Sequence, residues 1–337
     1  MSWLTVLGCD PRDWLLDGCG PAVRAATLRD LLDRPAEDLD LVAARRAATR
    51  SDPVRAILHA QDADGWWAKP GPGYAPRYRS TVWQLALLDQ LAADPDDKRV
   101  VAACRYVLEH TASASGGFGS SGVRDGPPPP PERVIHCLNG NLTAALLSFG
   151  HGDDPVLRAA LRWAAATITA NPARSAAGAT SGPGFRCAAN AGLPCAWGAI
   201  AEMRALSRTT TPRDPDVQAA IDAGVGLLLG HDPLAADYPH KPQDAGPSAQ
   251  WWRPGFLSFY VADLLDLLGV LADLGVADDP RAVGAVGWLL GQQSAPGRWP
   301  NRRRYPGRTT VDLDPHPEQS PWVALRACRV LRAAHGP

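Results

Sequence analysis

Lysine is almost missing from this chain: it stands only at Lys69, Lys98 and Lys241, and arginine supplies the rest of the basic charge. That bias reads as genome-wide base composition, without a functional message. No long run of Lys or Arg occurs, and a formal net charge of -1 offers no field that would gather nucleic acid or an anionic membrane. Long apolar runs are lacking too, and no window approaches the roughly 18 to 20 uninterrupted apolar residues of a membrane span. The opening segment, MSWLTVLGCDPRDWLLDG, has no basic start and meets Asp10 before the apolar stretch of a signal peptide can develop. The expected location is the cytoplasm. Seven cysteines, an odd number scattered from Cys9 to Cys328, do not form a disulfide framework, and a reducing compartment leaves them as thiols or metal ligands. There is no Walker loop, dinucleotide fingerprint, nucleophile elbow or His-Glu-x-x-His, which argues against ATP, NAD and serine-hydrolase chemistry. Alternation over strand lengths is absent as well, so an all-α fold is expected.

What is present is a repeat. With 45% hydrophobic and 20% charged residues among 337, the chain can bury a large core. Asp-Pro recurs at Asp52-Pro53, Asp94-Pro95, Asp154-Pro155, Asp214-Pro215 and Asp279-Pro280, each ahead of an Ala- and Leu-rich segment of helical period. Asp accepts hydrogen bonds from the first free amides of a helix, and Pro at the first helical position loses no bond the helix would use, so each pair predicts a helix start. The helices that follow, such as Pro155 to Trp163, carry polar residues on one face and suit an outer layer. Most lead into a glycine beside an aromatic residue: Gly65-Trp66-Trp67, Gly116-Gly117-Phe118, Gly184-Phe185 and Gly297-Arg298-Trp299. The fourth unit lacks this pair. Second, more apolar helices are predicted over about 80–93, 135–149, 194–207, 255–274 and 320–334, and the stretch from Phe256 to Leu274 reads as one helix buried on most sides. Such pairs cannot bury their apolar faces alone and must stack. The pattern predicts a single domain over residues 1–337. Residues 1–50 serve as capping helices or a sixth unit, and residues 51–337 form five helix pairs in an open superhelix or a closed ring.

The strings Gln61-x-x-x-Gly65-x-Trp67 and Gln293-x-x-x-Gly297-x-Trp299 resemble the glutamine-tryptophan repeat of squalene-hopene cyclases and related terpenoid cyclases. The resemblance covers the chain from about residue 50 onward. It implies an α/α toroid (barrel) of about five to six helical hairpins in inner and outer rings, a fold shared with protein prenyltransferase β subunits and lanthionine cyclases. It also implies an enzyme that takes an apolar, isoprenoid substrate into the central cavity for cyclisation or prenyl transfer. The Asp-x-Asp-Asp acid motif of squalene-hopene cyclases is absent, and Asp38-Leu39-Asp40 and Asp312-Leu313-Asp314 are partial echoes of it. The Gln and Trp of the repeat also have a structural reading, tying an outer helix to the next loop.

Three groups of residues are candidates for chemistry. Cys137 and Cys195 open the second and third inner helices, while Cys187 and His240 lie in loops just before the third and fourth. Three thiols and an imidazole match a tetrahedral zinc site in ligand type. The set is similar to the Asp, Cys and His of prenyltransferases and the two Cys and one His of lanthionine cyclases, though it matches neither motif, and His136 is an alternative to His240. The ordinary reading is buried small residues. Trp83, Trp197, Trp251, Trp252, Phe256, Phe259, Tyr260 and Trp322 can line a cavity for a greasy substrate or a developing carbocation, or can be plain core. On the predicted helix, Asp263 shares a face with Phe256 and Tyr260. Burial would raise its pKa to make an acid, with Asp266 sharing the proton, or else an arginine neutralises it. Arg77, Arg79 and Arg304 are candidates to grip a diphosphate, or are solvated loop residues. The expectations are thus an isoprenoid-type enzyme, a zinc-thiolate enzyme activating a substrate or peptide thiol or water, or a non-catalytic helical scaffold for a peptide or lipid.

Overall fold

The computed structural model describes residues 2–120, 128–170, 179–314 and 316–336. Among these residues there are fourteen α-helices and a single two-stranded sheet, so the fold is all-α. The N-terminal part holds α1 (Trp3–Leu7), α2 (Arg12–Asp17), α3 (Pro21–Asp30) and α4 (Leu39–Thr49). Five helix pairs follow: α5 (Val54–His59) with α6 (Thr81–Gln90), α7 (Lys98–His110) with α8 (His136–Ser148), α9 (Pro155–Thr169) with α10 (Ala196–Ser207), α11 (Pro215–Leu229) with α12 (Leu264–Asp273), and α13 (Val283–Leu290) with α14 (Pro321–His335). The strands β1 (Ser181–Gly182) and β2 (Arg186–Cys187) form a short antiparallel hairpin ahead of α10. None of these helices is long and apolar enough to cross a membrane.

Asp154 and Asp214 cap α9 and α11 as their sequence predicts, accepting from the Val156 and Asp216 amides at 2.8 and 2.9 Å with proline in the first turn. Asp279 does the same for the 3-10 turn Pro280–Ala282 that feeds α13. Two pairs depart from the expectation. Asp97, not Asp94, caps α7, accepting from Arg99 N at 2.9 Å, while Asp94 holds the preceding turn through Asp96 N. Asp52 is paired with Arg55 at 3.0 Å, and the cap position of α5 falls to Pro53.

The predicted inner helices lie where the sequence puts them, with one correction. Residues 255–263 are not helical, and α12 begins only at Leu264. The reason is local. Asp263 accepts from Asp266 N while Asp266 accepts from Asp263 N, a reciprocal capping box that satisfies two free amides and fixes the helix start. Phe256, Tyr260 and Asp263 therefore do not share a helical face.

Packing runs in sequence order: α6 against α8, α8 against α10, α10 against α12, α12 against α14, and α14 against α3. Arg29 of α3 then donates to the carbonyl of Asp89 at the end of α6 (3.3 Å). Helices α9, α11 and α13 lie outside this series: α9 packs on α8 and α11, α11 on α9 and α10, and α13 on α12 and α14. One hydrophobic cluster holds residues from Trp3 to Leu331. The closest approach is between α8 and α10, where a Cβ on Gly140 would lie 2.3 Å from the Ala201 carbonyl.

The repeated Gln and Trp residues stitch this arrangement together. Trp67 donates its indole N–H to Ile57 O and Trp299 to Leu289 O, both at 2.8 Å and at the same offset in sequence. Gln61 reaches Arg99 O in α7 at 2.9 Å. Gly65, at φ +97°, passes so close to α7 that a Cβ would sit 2.7 Å from Ala102 O. In the unit without a glycine-aromatic pair, Trp251 bonds Pro233 O (2.8 Å) in the same manner.

Candidate functional site

The first turns of α8 and α10 bring a group of thiols together. Cys187, at the end of β2, and Cys195, the residue that leads into α10, are near enough for their thiols to shift each other's proton affinity in opposite directions. The hairpin enforces this pairing: Cys187 N donates to Leu193 O (3.1 Å) and Cys195 N to Phe185 O (3.0 Å). The Cys187 thiol is pushed down to about 6, first by the Cys195 hydrogen bond, then by the Ala189 and Asn190 amides and the nearby His136, which together outweigh burial. Cys195 is driven well up by its bond to Cys187 and by burial. Cys137, the second residue of α8, is buried beside both and is also raised, by burial above all.

His240 approaches from the next loop. Asn190 binds that loop to the thiol hairpin, donating to Pro194 O at 2.8 Å and Pro239 O at 2.9 Å. The His240 Nδ1 lies 3.2 Å from Tyr238 O. Since a carbonyl only accepts, Nδ1 is the donor here, which leaves Nε2 as the ring atom free to face a ligand. His136 is no substitute for it. Its Nδ1 faces Glu202 Oε1 at 3.0 Å and its Nε2 faces Gly182 O at 3.1 Å, so both ring nitrogens are engaged. Glu202 is itself raised by burial, against the pull of His136 and Asn139. Among the described residues, no group of three or more His, Cys, Asp or Glu side chains is arranged to hold a metal ion.

An aromatic group stands next to Cys137. Trp83 of α6 lies 4.8 Å from Tyr260 and 5.3 Å from Phe259, ring centre to ring centre, and Tyr78 and Tyr305 pack against Phe259 at 5.3 and 5.4 Å. Tyr74 touches both Trp83 and Tyr260. The Tyr260 hydroxyl has no partner of normal hydrogen-bond geometry, and burial beside Tyr74 and Cys137 pushes its pKa well up. The other predicted aromatics lie elsewhere. Trp251 and Trp252 anchor the loop before them through Pro233 O and Leu234 O, Phe256 stacks on Trp322 at 4.5 Å, and Trp197 is half-buried in the first turn of α10. Tyr74, Tyr78 and Tyr305 sit in irregular loops, where no period marks them as inward-facing.

Asp263 and Asp266 are buried and neutralised by arginine. Asp263 Oδ2 accepts from Arg303 (2.8 Å) and Gly255 N (2.9 Å). Asp266 accepts from Arg326 at 2.5 Å, Arg204 at 3.1 Å and Arg303 at 3.1 Å, and also from Ser258. Burial and then the Asp266 charge raise Asp263 to about 6, whereas the Arg326, Arg303 and Arg204 guanidiniums overcome burial and hold Asp266 far below the usual carboxylate range. Together they fasten the 255–263 loop: Arg326 also bonds Gly255 O (2.6 Å), and Arg204 reaches Asn141, which in turn bonds Phe259 O (3.1 Å). Arg303, the sequence neighbour of Arg304, is thus internal. Arg304 is paired with Asp312 (3.2 Å), and Arg79 clasps Gly307 O (2.7 Å), while Arg77 is exposed over Tyr74. Arg79 and Arg304 are thus spent on the 304–314 loop.

No protein-family profile matches this chain, and no curated protein sequence matches it either.

Proposed function

We propose that the chain is an α/α-toroid enzyme that admits an apolar, isoprenoid-like substrate at the N-terminal rim of its inner helices and does its chemistry at the thiol group there. The succession of contacts from α6 through α14 to α3, with Arg29 reaching back to Asp89, supports a closed ring of six inner helices. The Gln-Trp stitches, made at equal offsets in two units, support the likeness to terpenoid cyclases. The single observation that carries the chemistry is the Cys187–Cys195 contact, made beside Cys137 and the Trp83–Tyr260 aromatic wall.

The donors fit zinc in kind. Cys187 and Cys195 supply a pair of soft sulfurs, Cys137 lies against them, and His240 presents Nε2 because its Nδ1–H is committed to a carbonyl. A zinc ion bound by this set would supply a Lewis acid that lowers the pKa of a substrate thiol or water. The protein's own part is to orient and to exclude water. The hairpin amides fix Cys187, Asn190 holds the His240 loop, and Trp83 with Tyr260 offers aromatic faces to an apolar chain or a developing positive charge. Asp263 and Asp266 serve as ties for the 255–263 loop in this reading.

Metal analysis of protein purified without added metal is the test. Near one zinc per chain is expected, with Cys187→Ala and Cys195→Ala each losing most of it and keeping their helical signal. Metal-free wild type, or equal losses in Cys104→Ala and Cys328→Ala, would sink the zinc reading. One observation favours a non-catalytic scaffold: six aromatic rings and the Asp–Arg network occupy the space among the inner helices. That alternative gains if protein with an intact thiol site binds no apolar probe.

A further inference from the structure

Five arginines converge on a cavity at the other end of the inner helices from the thiols. Arg204 and Arg208 stand at the close of α10, about 14 and 20 Å along its axis from Cys195. The cavity measures 80 Å³ and is lined by Arg29, Arg204, Arg208, Arg326 and Arg329, against the carboxylates of Asp30, Asp266 and Asp273. With Asp89, which pairs with Arg208, five guanidiniums face four carboxylates, and one of these, Asp266, is further shared with Arg303. Guanidinium does not shed its proton in a protein, so this excess favours an anion. Arg204 registers it: burial, with Arg326 and Arg208 close by, lowers its pKa in spite of Asp266.

Donors are also left over. Arg208 spends Nη1 on Asp89 (2.8 Å), Ala144 O (2.7 Å) and Ser148 (2.6 Å), and its Nε and Nη2 make no hydrogen bond among the described residues. Arg329 uses Nε on Asp30 O (2.9 Å) and Nη2 on Asp273, which leaves Nη1. The stacked Phe256 and Trp322 rings form an apolar wall to the same cavity, which strengthens charge–charge attraction inside it.

We propose that this cavity binds one tetrahedral oxyanion of the phosphate class, gripped by Arg208 and Arg329 with Arg204 and Arg326 behind them. The planar fork of guanidinium matches such an anion in geometry, and the small volume suits a single phosphate group, not an extended diphosphate. Neither the thiol site nor its metal is needed for it.

The test is thermal unfolding of the full-length protein with inorganic phosphate, against sodium chloride of matched ionic strength. Phosphate should raise Tm already at low millimolar concentration, below the range in which it stabilises proteins by exclusion from their surface, while chloride does not, because a ligand of the native state shifts the equilibrium. Arg208→Gln and Arg329→Gln should each weaken phosphate binding roughly tenfold, as expected for loss of a charged hydrogen bond. Arg302→Gln, on the exposed surface, should leave it unchanged. Broadening of the phosphorus resonance on adding wild-type protein gives a second readout should either variant fold poorly. Glycerol phosphate binding as well as inorganic phosphate would assign the site to the phosphate tail of a larger ligand. Binding of inorganic phosphate alone would assign it to the free ion. Equal stabilisation by phosphate and chloride, or no line broadening, overturns the proposal.

Discussion

Asp263 and Asp266 lie three residues apart, yet their surroundings move their proton affinities in opposite directions. Asp263 binds its proton more tightly in the native than in the unfolded chain. Its contribution to stability is therefore greatest below the ordinary carboxylate range and is lost as pH rises through about 6. Asp266 contributes above the ordinary range and loses that contribution only as pH falls through its depressed native value. Asp263→Asn removes the first term and keeps an acceptor for Asp266 N. Urea unfolding from pH 4 to pH 7 should show the difference between variant and wild type moving in the variant's favour as pH rises, and a difference that stays flat would be a contrary result. Asp266→Ala is the harsher change. It leaves Arg204, Arg303 and Arg326 without their shared counter-charge, and a loss of about 3–5 kcal/mol is expected from urea unfolding at pH 7.

At the scale of elements, the tightest joint is that between α8 and α10. Gly140 lets the two backbones meet, and neither the carbonyl of Ala201 nor the amide of Glu202 can move aside without shifting α10. Gly140→Ala should therefore cost about 1–3 kcal/mol in urea unfolding, the range of an overpacked core. Because α8 and α10 carry Cys137 and Cys195 in their first turns, the same variant should lower zinc retention if these thiols hold the metal. A variant as stable as wild type would mean that the two helices separate freely.

At the scale of the whole molecule, the N-terminal helices and α14 are fastened together. Trp3 N donates to Gly336 O (3.2 Å), Arg329 to Asp30 O, and Arg332 pairs with Asp33 at 2.7 Å, so the N-terminal helices cover one flank of α14. Removing residues 1–34 would expose that flank and cut the Arg29 link to α6. The truncated chain should lose its single sharp melting transition or become insoluble, whereas an unchanged transition would show that α3 is dispensable. Far-ultraviolet circular dichroism of the intact protein should report helix near the 53% of the structure, with strand close to nil.

Helix periodicity, Asp-Pro starts and the Gln-Trp pairs are local signals, and with them the sequence by itself determined the all-α fold, the order of helices and the structural use of Trp67 and Trp299. A cap bonds within a turn, so Asp154, Asp214 and Asp279 are legible without any tertiary knowledge. The thiols at the starts of α8 and α10 were legible for the same reason, as positions in a repeat. Only the tertiary structure decided the rest. Apolar composition cannot tell a buried helix from a buried loop, which is why 255–263 read as helix until the Asp263–Asp266 capping box broke it. Nor does a sequence show which charges meet. Arg204, Arg303 and Arg326 come from three distant segments to one carboxylate, and the arginine cavity beside them exists only because α3, α6, α10, α12 and α14 converge there.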